Sequence, residues 1–93
     1  MIQKDHDAAL WQAGAMHIQL QNWFRAKAPF EQLLKKHPEN ADILINLGGV
    51  HSKLGEFAEA ARYYEKAVKL SPDRPGLHDT LNAVRRQIPG GGR

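Results

Sequence analysis

A chain of 93 residues, 42% hydrophobic and 25% charged, has the makeup of one folded domain with a thin core, too short for a large enclosed active site. The absence of cysteine excludes a disulfide framework and a thiolate zinc site. Net charge is +3, yet the basic residues are scattered among acids and their only doublets are Lys35-Lys36 and Arg85-Arg86, a pattern that a solvated helical surface explains without nucleic acid.

The first helix is expected over Asp7–Leu20, with Ala9, Ala13, Met16 and Leu20 on one face. A second spans Trp23–Lys36 and stops before His37-Pro38. Pro29 falls inside it, where a proline costs about 3 kcal/mol, so a kink or a late start near Ala26–Ala28 is expected. Asn40 is the natural N-cap of a third helix reaching Lys53, and Gly55 supplies the turn that follows. A fourth runs Phe57–Leu70 and stops before Ser71-Pro72. Pro75, a good first-turn residue, opens a fifth that ends near Ile88, ahead of the tail Pro89-Gly90-Gly91-Gly92-Arg93.

Shifting the sequence by 34 positions lays Leu10 on Leu44, Gly14 on Gly48, His17 on His51, Leu20 on Leu54, Ala26 on Ala60, Glu31 on Glu65, Lys35 on Lys69 and Pro38 on Pro72. Trp23 falls on Phe57 and Phe30 on Tyr64. The chain therefore contains a duplicated two-helix unit whose short turns make neighbouring helices antiparallel. Ile43, Leu47, Val50 and Leu54, and again Leu77, Leu81, Val84 and Ile88, repeat the stripe of the first helix, so these three sets are the expected core. The fifth helix begins a third copy and stops halfway, as a terminal cap over the preceding pair.

The spacing resembles the tetratricopeptide repeat: Leu44, Leu47-Gly48, His51, Ala60, Tyr64 and Pro72 in the second copy, and Leu10, Ala13-Gly14, His17, Ala26, Phe30 and Pro38 in the first, fall on the family's pattern. Departures are leucine for tryptophan at Leu10 and Leu44, histidine for tyrosine at His17 and His51, and Leu33 where a small residue is usual and Ala67 keeps one. The resemblance implies an all-α fold, a right-handed superhelical stack of antiparallel helix pairs, the α-solenoid, with about five helices. It implies one domain over 1–88, with repeats at about 7–40 and 41–74, a capping helix at about 75–88 and a flexible tail at 89–93. In this family the first helix of each repeat lines a concave groove. Carried over position by position, that groove comprises Ala8, Trp11, Ala15 and Ile18, then Asp42, Ile45, Gly49 and Ser52, then Gly76, Asp79, Ala83 and Arg86, with Asn46 beside them. Trp11 and Ile45 flanking Ala15 and Gly49 would form a shallow apolar trough. The family's clamp for acidic C-termini of heat-shock chaperones is not expected, because its positions hold Trp11, Ala15, Asn46, Gly76 and Thr80 and only Asn46 fits. Gly48 is assigned to packing between the helices of one repeat, and Gly49 to the groove floor.

No chemistry of a catalytic kind is legible. Ser52 and Ser71 lack a placed histidine and carboxylate, Glu56, Glu59 and Glu65 read as a solvated helix face, and Gly48-Gly49 carries no phosphate-loop motif. His17 and His51 take an aromatic packing site, His78 another packing position and His37 a turn; His6 with Asp5 and Asp7 could assist only weak metal capture. The expected protein is a non-enzyme without cofactor or metal, a scaffold or adaptor that binds another protein through a peptide or helix with a hydrophobic anchor. Self-association into a homo-oligomer is the alternative, and a nucleic-acid surface at Lys35, Lys36, Arg85 and Arg86 comes third. With no leader in MIQKDHDAALW and no run of about 18 apolar residues, membrane insertion is not expected and the cytoplasm is the default compartment.

Overall fold

The computed structural model describes residues 6–90 as five helices: α1 (His6–Gln19), α2 (Trp23–Lys36), α3 (Ala41–Lys53), α4 (Phe57–Leu70) and α5 (Leu77–Gln87). No strand occurs among the described residues. α2 and α4 start at 23 and 57 and end at 36 and 70, so the 34-residue duplication of the sequence carries into the backbone. Extensive packing joins consecutive helices, α1 to α2, α2 to α3, α3 to α4 and α4 to α5. This is an all-α stack of helix pairs. No helix among the described residues is long and apolar enough to cross a membrane.

The turn inside each pair is built the same way. Gly55 takes φ 79°, and the N–H groups of Gly55 and Glu56 donate to the carbonyls of Ser52 and His51 at 3.0 and 2.8 Å. This pair of hydrogen bonds closes the last carbonyls of α3. In the first pair Gln21 takes the same left-handed conformation at φ 60°, with the N–H groups of Gln21 and Asn22 donating to Ile18 and His17 at 3.0 and 2.8 Å. A residue with a Cβ is strained there by about 1–2 kcal/mol, so the geometry of the pair, rather than local preference, holds Gln21 in place. Between pairs, Asn40 caps α3 as expected, its side chain accepting from the Ile43 N–H at 3.2 Å.

Two interiors result. Phe30 and Leu33 of α2 meet Ile43 and Leu47 of α3, with Leu10, Ile18, Leu34 and Tyr63 packed against them. Leu44 meets Ala60, Ala61, Tyr64 and Ala67 of α4 and Leu77, Leu81 and Val84 of α5. Within each pair the helices touch at a glycine. A Cβ on Gly14 would stand 2.5 Å from the Phe30 ring, and one on Gly48 would stand 2.8 Å from the Tyr64 ring. Both distances are shorter than carbon atoms tolerate. The glycines are what let Phe30 and Tyr64 reach the opposite helix.

Four expectations are corrected. α2 starts at Trp23, not late, and continues through Pro29, with the Ala26 N–H donating to the Asn22 carbonyl at 3.1 Å. Ala26, Phe30 and Leu33, at 0%, 1% and 3% exposure, anchor the helix on both sides of the proline, and burying two large side chains at roughly 1.5–3 kcal/mol each exceeds the loss. Pro75 does not open α5. It belongs to the turn before Gly76, whose φ of 78° redirects the chain so that the helix begins at Leu77. His78 is exposed, because its counterpart Leu44 packs on the second helix of its own pair and α5 has no described partner helix of that kind. The stripe of α1 is no core either: Ala9 is exposed, Met16 is 50% and Leu20 62% exposed, while Ile43 and Leu47 of α3 are closed off by α2 and Leu77 and Leu81 of α5 pack against α4. Of the expected tail, Pro89 and Gly90 form a turn, and Gly91, Gly92 and Arg93 lie outside the described residues.

The two adjacent glycines of α3 separate by substitution. Gly48→Ala destabilises the chain by about 2 kcal/mol through overpacking against Tyr64. At Gly49 the nearest atom to a new Cβ is the Tyr64 hydroxyl at 3.5 Å, an ordinary contact, so Gly49→Ala is neutral or stabilising by up to about 1 kcal/mol through helix propensity. Urea unfolding of the two variants measures both.

Candidate functional site

The first helix of each pair, and α5 after them, carries the positions expected to meet a partner. On α1, Ala8 is exposed, Ala15 half-buried, and Ile18 leans on the Phe30 and Leu33 cluster. Trp11 is 37% exposed and sets its ring against the edge of Phe30, with centroids 5.4 Å apart and planes at 89°. Such a perpendicular contact fixes the indole while leaving much of it open to solvent. Phe30 thus receives Trp11 and closes on Gly14 with one ring.

On α3 the spacing of these residues brings them beside the second interior. Ile45 is half-buried against it, Gly49 lies near the Tyr64 hydroxyl, and Ser52 has a buried Oγ without a hydrogen-bond partner among the described residues. Asn46 donates to the Asp42 carbonyl of its own helix at 3.1 Å. Asp42 holds Arg74 at 3.0 Å, which ties the start of α3 to the turn before α5. Below that pair opens a pocket of about 240 Å³ lined by Ile45, Tyr64, Arg74, Pro75, Gly76, Leu77 and Thr80. Thr80 donates its hydroxyl to the Gly76 carbonyl at 3.0 Å, which fixes the pocket's rim. The structure therefore brings Ile45 and Gly76 of the expected set into one concavity, with Asp42 at its margin through Arg74. Asp79, Ala83 and Arg86 are exposed on α5 and none of them lines this pocket.

A second group of residues escaped the sequence reading. His51, 5% exposed, is stacked on Tyr63 with centroids 5.2 Å apart and planes at 25°. Its Nδ1 lies 2.6 Å from Glu56 Oε1, and because an ionised carboxylate only accepts, Nδ1 carries the proton. Lys27 of α2 reaches the same carboxylate oxygen at 3.5 Å. Glu56, read from sequence as part of a solvated face, is the point where α2, α3 and the start of α4 are tied together. The hydrogen bond from His51 holds its carboxyl below the ordinary carboxylate range, and the charge of Lys27 acts in the same direction. Asp7 is placed similarly at the other end of the first pair, with Lys36 Nζ at 2.7 Å and His37 Nε2 at 2.8 Å. Those two hydrogen bonds, Lys36 first, hold its carboxyl low as well. The sequence signal for the Glu56 contact was its place directly after Gly55, where the chain folds back on His51. Nothing local announced Asp7, whose partners are 29 and 30 residues away.

The metal reading of His6 loses Asp7 to Lys36 and His37, and its Asp5 lies outside the described residues. Among the described residues no three histidine, aspartate or glutamate side chains converge as a metal site would require.

Comparison with known proteins gives a consistent picture. The family model described as tetratricopeptide repeat matches residues 17–75, more than half of the chain. Among curated proteins the chain is similar to Protein O-mannosyl-transferase TMTC1 of Mus musculus, 32% identical over 62 residues, which is 67% of this chain and 7% of that protein. The protein of the same name in Homo sapiens is 29% identical over 62 residues, again 67% of this chain and 7% of the relative. Protein CTR9 homolog of Arabidopsis thaliana is 40% identical over 43 residues, 46% of this chain and 4% of that protein. The chain thus spans less than a tenth of the length of these relatives.

The two low carboxyls give stability a pH dependence. Each titrates lower in the folded chain than in the unfolded one, so its contribution is complete above the ordinary carboxylate range and is lost as pH falls through the folded value. Melting temperature measured from neutral pH downward falls on the acid side, and Glu56→Gln and Asp7→Asn each flatten that fall.

Proposed function

Because the chain belongs to the tetratricopeptide repeat family, we propose that it is a protein-interaction module that holds a peptide or helix segment with a hydrophobic anchor against the first-helix face. The contact set is Ala8, Trp11, Ala15, Ile18, Asp42, Ile45, Asn46, Gly49, Ser52, Gly76, Asp79, Ala83 and Arg86. The observation that carries this reading is the pocket between α3 and α5. At about 240 Å³ it is smaller than the roughly 300–1,000 Å³ of typical small-molecule sites and suits one side chain of a polypeptide. Ile45, Leu77 and Pro75 supply an apolar lining, and Arg74 and Thr80 supply polar groups at its rim. An aliphatic or aromatic anchor enters there, and the rest of the segment runs toward Trp11, the large exposed aromatic on α1.

As a scaffold or adaptor, the module acts by holding a partner and not by chemistry. The activity named for the transferase relatives belongs to proteins of which this chain covers 7%, and is not carried over. The nucleic-acid reading is weakened by two of its four cations: Lys36 is held by Asp7 at 2.7 Å, and Arg85 by Glu65 at 2.9 Å.

Peptides selected from a random library on the Trp23→Phe chain, which leaves Trp11 as the one indole reporter, test the groove by fluorescence titration. Ile45→Glu and Gly49→Arg are each expected to weaken binding at least tenfold, on the order of 1.4 kcal/mol. Unchanged affinity in both variants, with helicity retained, removes this surface from the proposal.

A further inference from the structure

The two helix pairs repeat one another, and at one place their contents differ. In the first pair Trp11 of α1 sets its ring against the edge of Phe30 of α2, with centroids 5.4 Å apart and planes at 89°. The residues 34 positions on are Ile45 of α3 and Tyr64 of α4. Both line the pocket of about 240 Å³ between α3 and α5. The indole that leaves α1 to meet the ring of the second helix therefore has no counterpart on α3. A shorter aliphatic side chain stands there, and the space beside Tyr64 is open.

The start of α5 keeps that space accessible. α3 begins at Ala41, but Pro75, 34 positions further, lies in a turn, and Gly76 at φ 78° delays α5 to Leu77. A Cβ on Gly76 would meet nothing within 4 Å, so the chain does not close the pocket on that side. Tyr64 itself is buried, 6% exposed, with its ring against Gly48. Its hydroxyl stands beside Gly49, 3.5 Å from where a Cβ would be, and makes no hydrogen bond among the described residues. Burial holds the phenol above its ordinary pKa, so this hydroxyl keeps its proton and can donate it.

We propose that the pocket takes an aromatic side chain of the partner, seated on Tyr64 as Trp11 is seated on Phe30, with the Tyr64 hydroxyl donating to a backbone carbonyl of the same segment. This rests on the reading of the first-helix face as a peptide-binding surface, and it names the anchor. An aromatic ring finds two partners here that an aliphatic chain does not. The Tyr64 ring attracts another ring placed edge-on or offset, and the Arg74 guanidinium in the pocket wall attracts an aromatic face. Arg74 is already tied to Asp42 at 3.0 Å, so it is positioned before a partner arrives. Gly49 leaves the hydroxyl uncovered for the partner's backbone.

Peptides selected from a random library on the full chain are expected to share phenylalanine, tyrosine or tryptophan at one position. Replacing that residue by leucine weakens binding at least about fivefold, read by the fluorescence anisotropy of the labelled peptide. Ile45→Trp rebuilds in the second pair the contact of the first and fills the pocket from within, so binding falls at least about tenfold while the urea midpoint holds or rises. Tyr64→Phe keeps the ring on Gly48 and removes only the hydroxyl, which leaves stability unchanged and weakens binding about threefold to tenfold. Selected peptides with aliphatic anchors, unchanged binding to Ile45→Trp, or unchanged binding to Tyr64→Phe would each overturn the proposal. If Ile45→Glu still weakens those peptides, the groove reading survives its loss. Peptides indifferent to both Ile45 variants, or a library that yields none, remove the two together.

Discussion

Where the two helices of each pair cross, there is room for a hydrogen atom and not for a methyl group. Gly14 and Gly48 occupy those crossings, and the rings of Phe30 and Tyr64 fill the space a Cβ would need. A glycine in a helix interior costs about 1 kcal/mol in propensity, and here that cost is offset by nearly complete burial of an aromatic ring, 1% exposed for Phe30 and 6% for Tyr64. With the helices so close, the second helix of each pair presents its other side to the next pair. Leu33 can then meet Ile43 and Leu47, and Ala61 can meet the residues of α5. The same closeness leaves the opposite side of each first helix free of its own partner, and the recognition face proposed above lies there on α1 and α3.

Polar ties fasten this arrangement between pairs. Glu56 draws Lys27 and His51 together, Asp42 draws Arg74, and Glu65 draws Arg85. Each spans two elements, yet all involve exposed or half-exposed partners, where single ion pairs contribute at most about 1 kcal/mol. His51 is the exception in burial: it stacks on Tyr63 and bonds to Glu56 from the position where the family pattern has an aromatic residue.

Much of this was legible in the sequence, for identifiable reasons. A 34-residue offset fixes α2 and α4 because prolines and turn residues recur with the apolar positions. That Gly48 and not Gly49 stands at the tight crossing was legible because only Gly48 has a glycine counterpart, Gly14. Periodicity reports which side of a helix is apolar, however, and not whether anything lies against it. Ala9, Ala13, Met16 and Leu20 match Ile43, Leu47, Val50 and Leu54 in spacing, but α3 has α2 in front of it and α1 has no described helix there. His78 was misread for the related reason that α5 has no described helix beside it like the one that buries Leu44. Pro29 and Gln21 show local preference yielding to packing, since anchored neighbours hold a proline inside α2 and a non-glycine in a left-handed turn. Of the expected groove, Ile45 and Gly76 share a pocket with Arg74, Pro75 and Thr80, residues that sequence position alone did not bring to Ile45.

The claim on which the rest stands is that the glycine and the ring at each crossing are one interlocking feature. A double-mutant cycle on Gly48→Ala and Tyr64→Leu, followed by urea unfolding, measures it. If the account is right, the alanine costs far less once the ring is gone, with a coupling of at least about 1 kcal/mol. Additive costs, with Gly48→Ala equally damaging beside leucine, would contradict it.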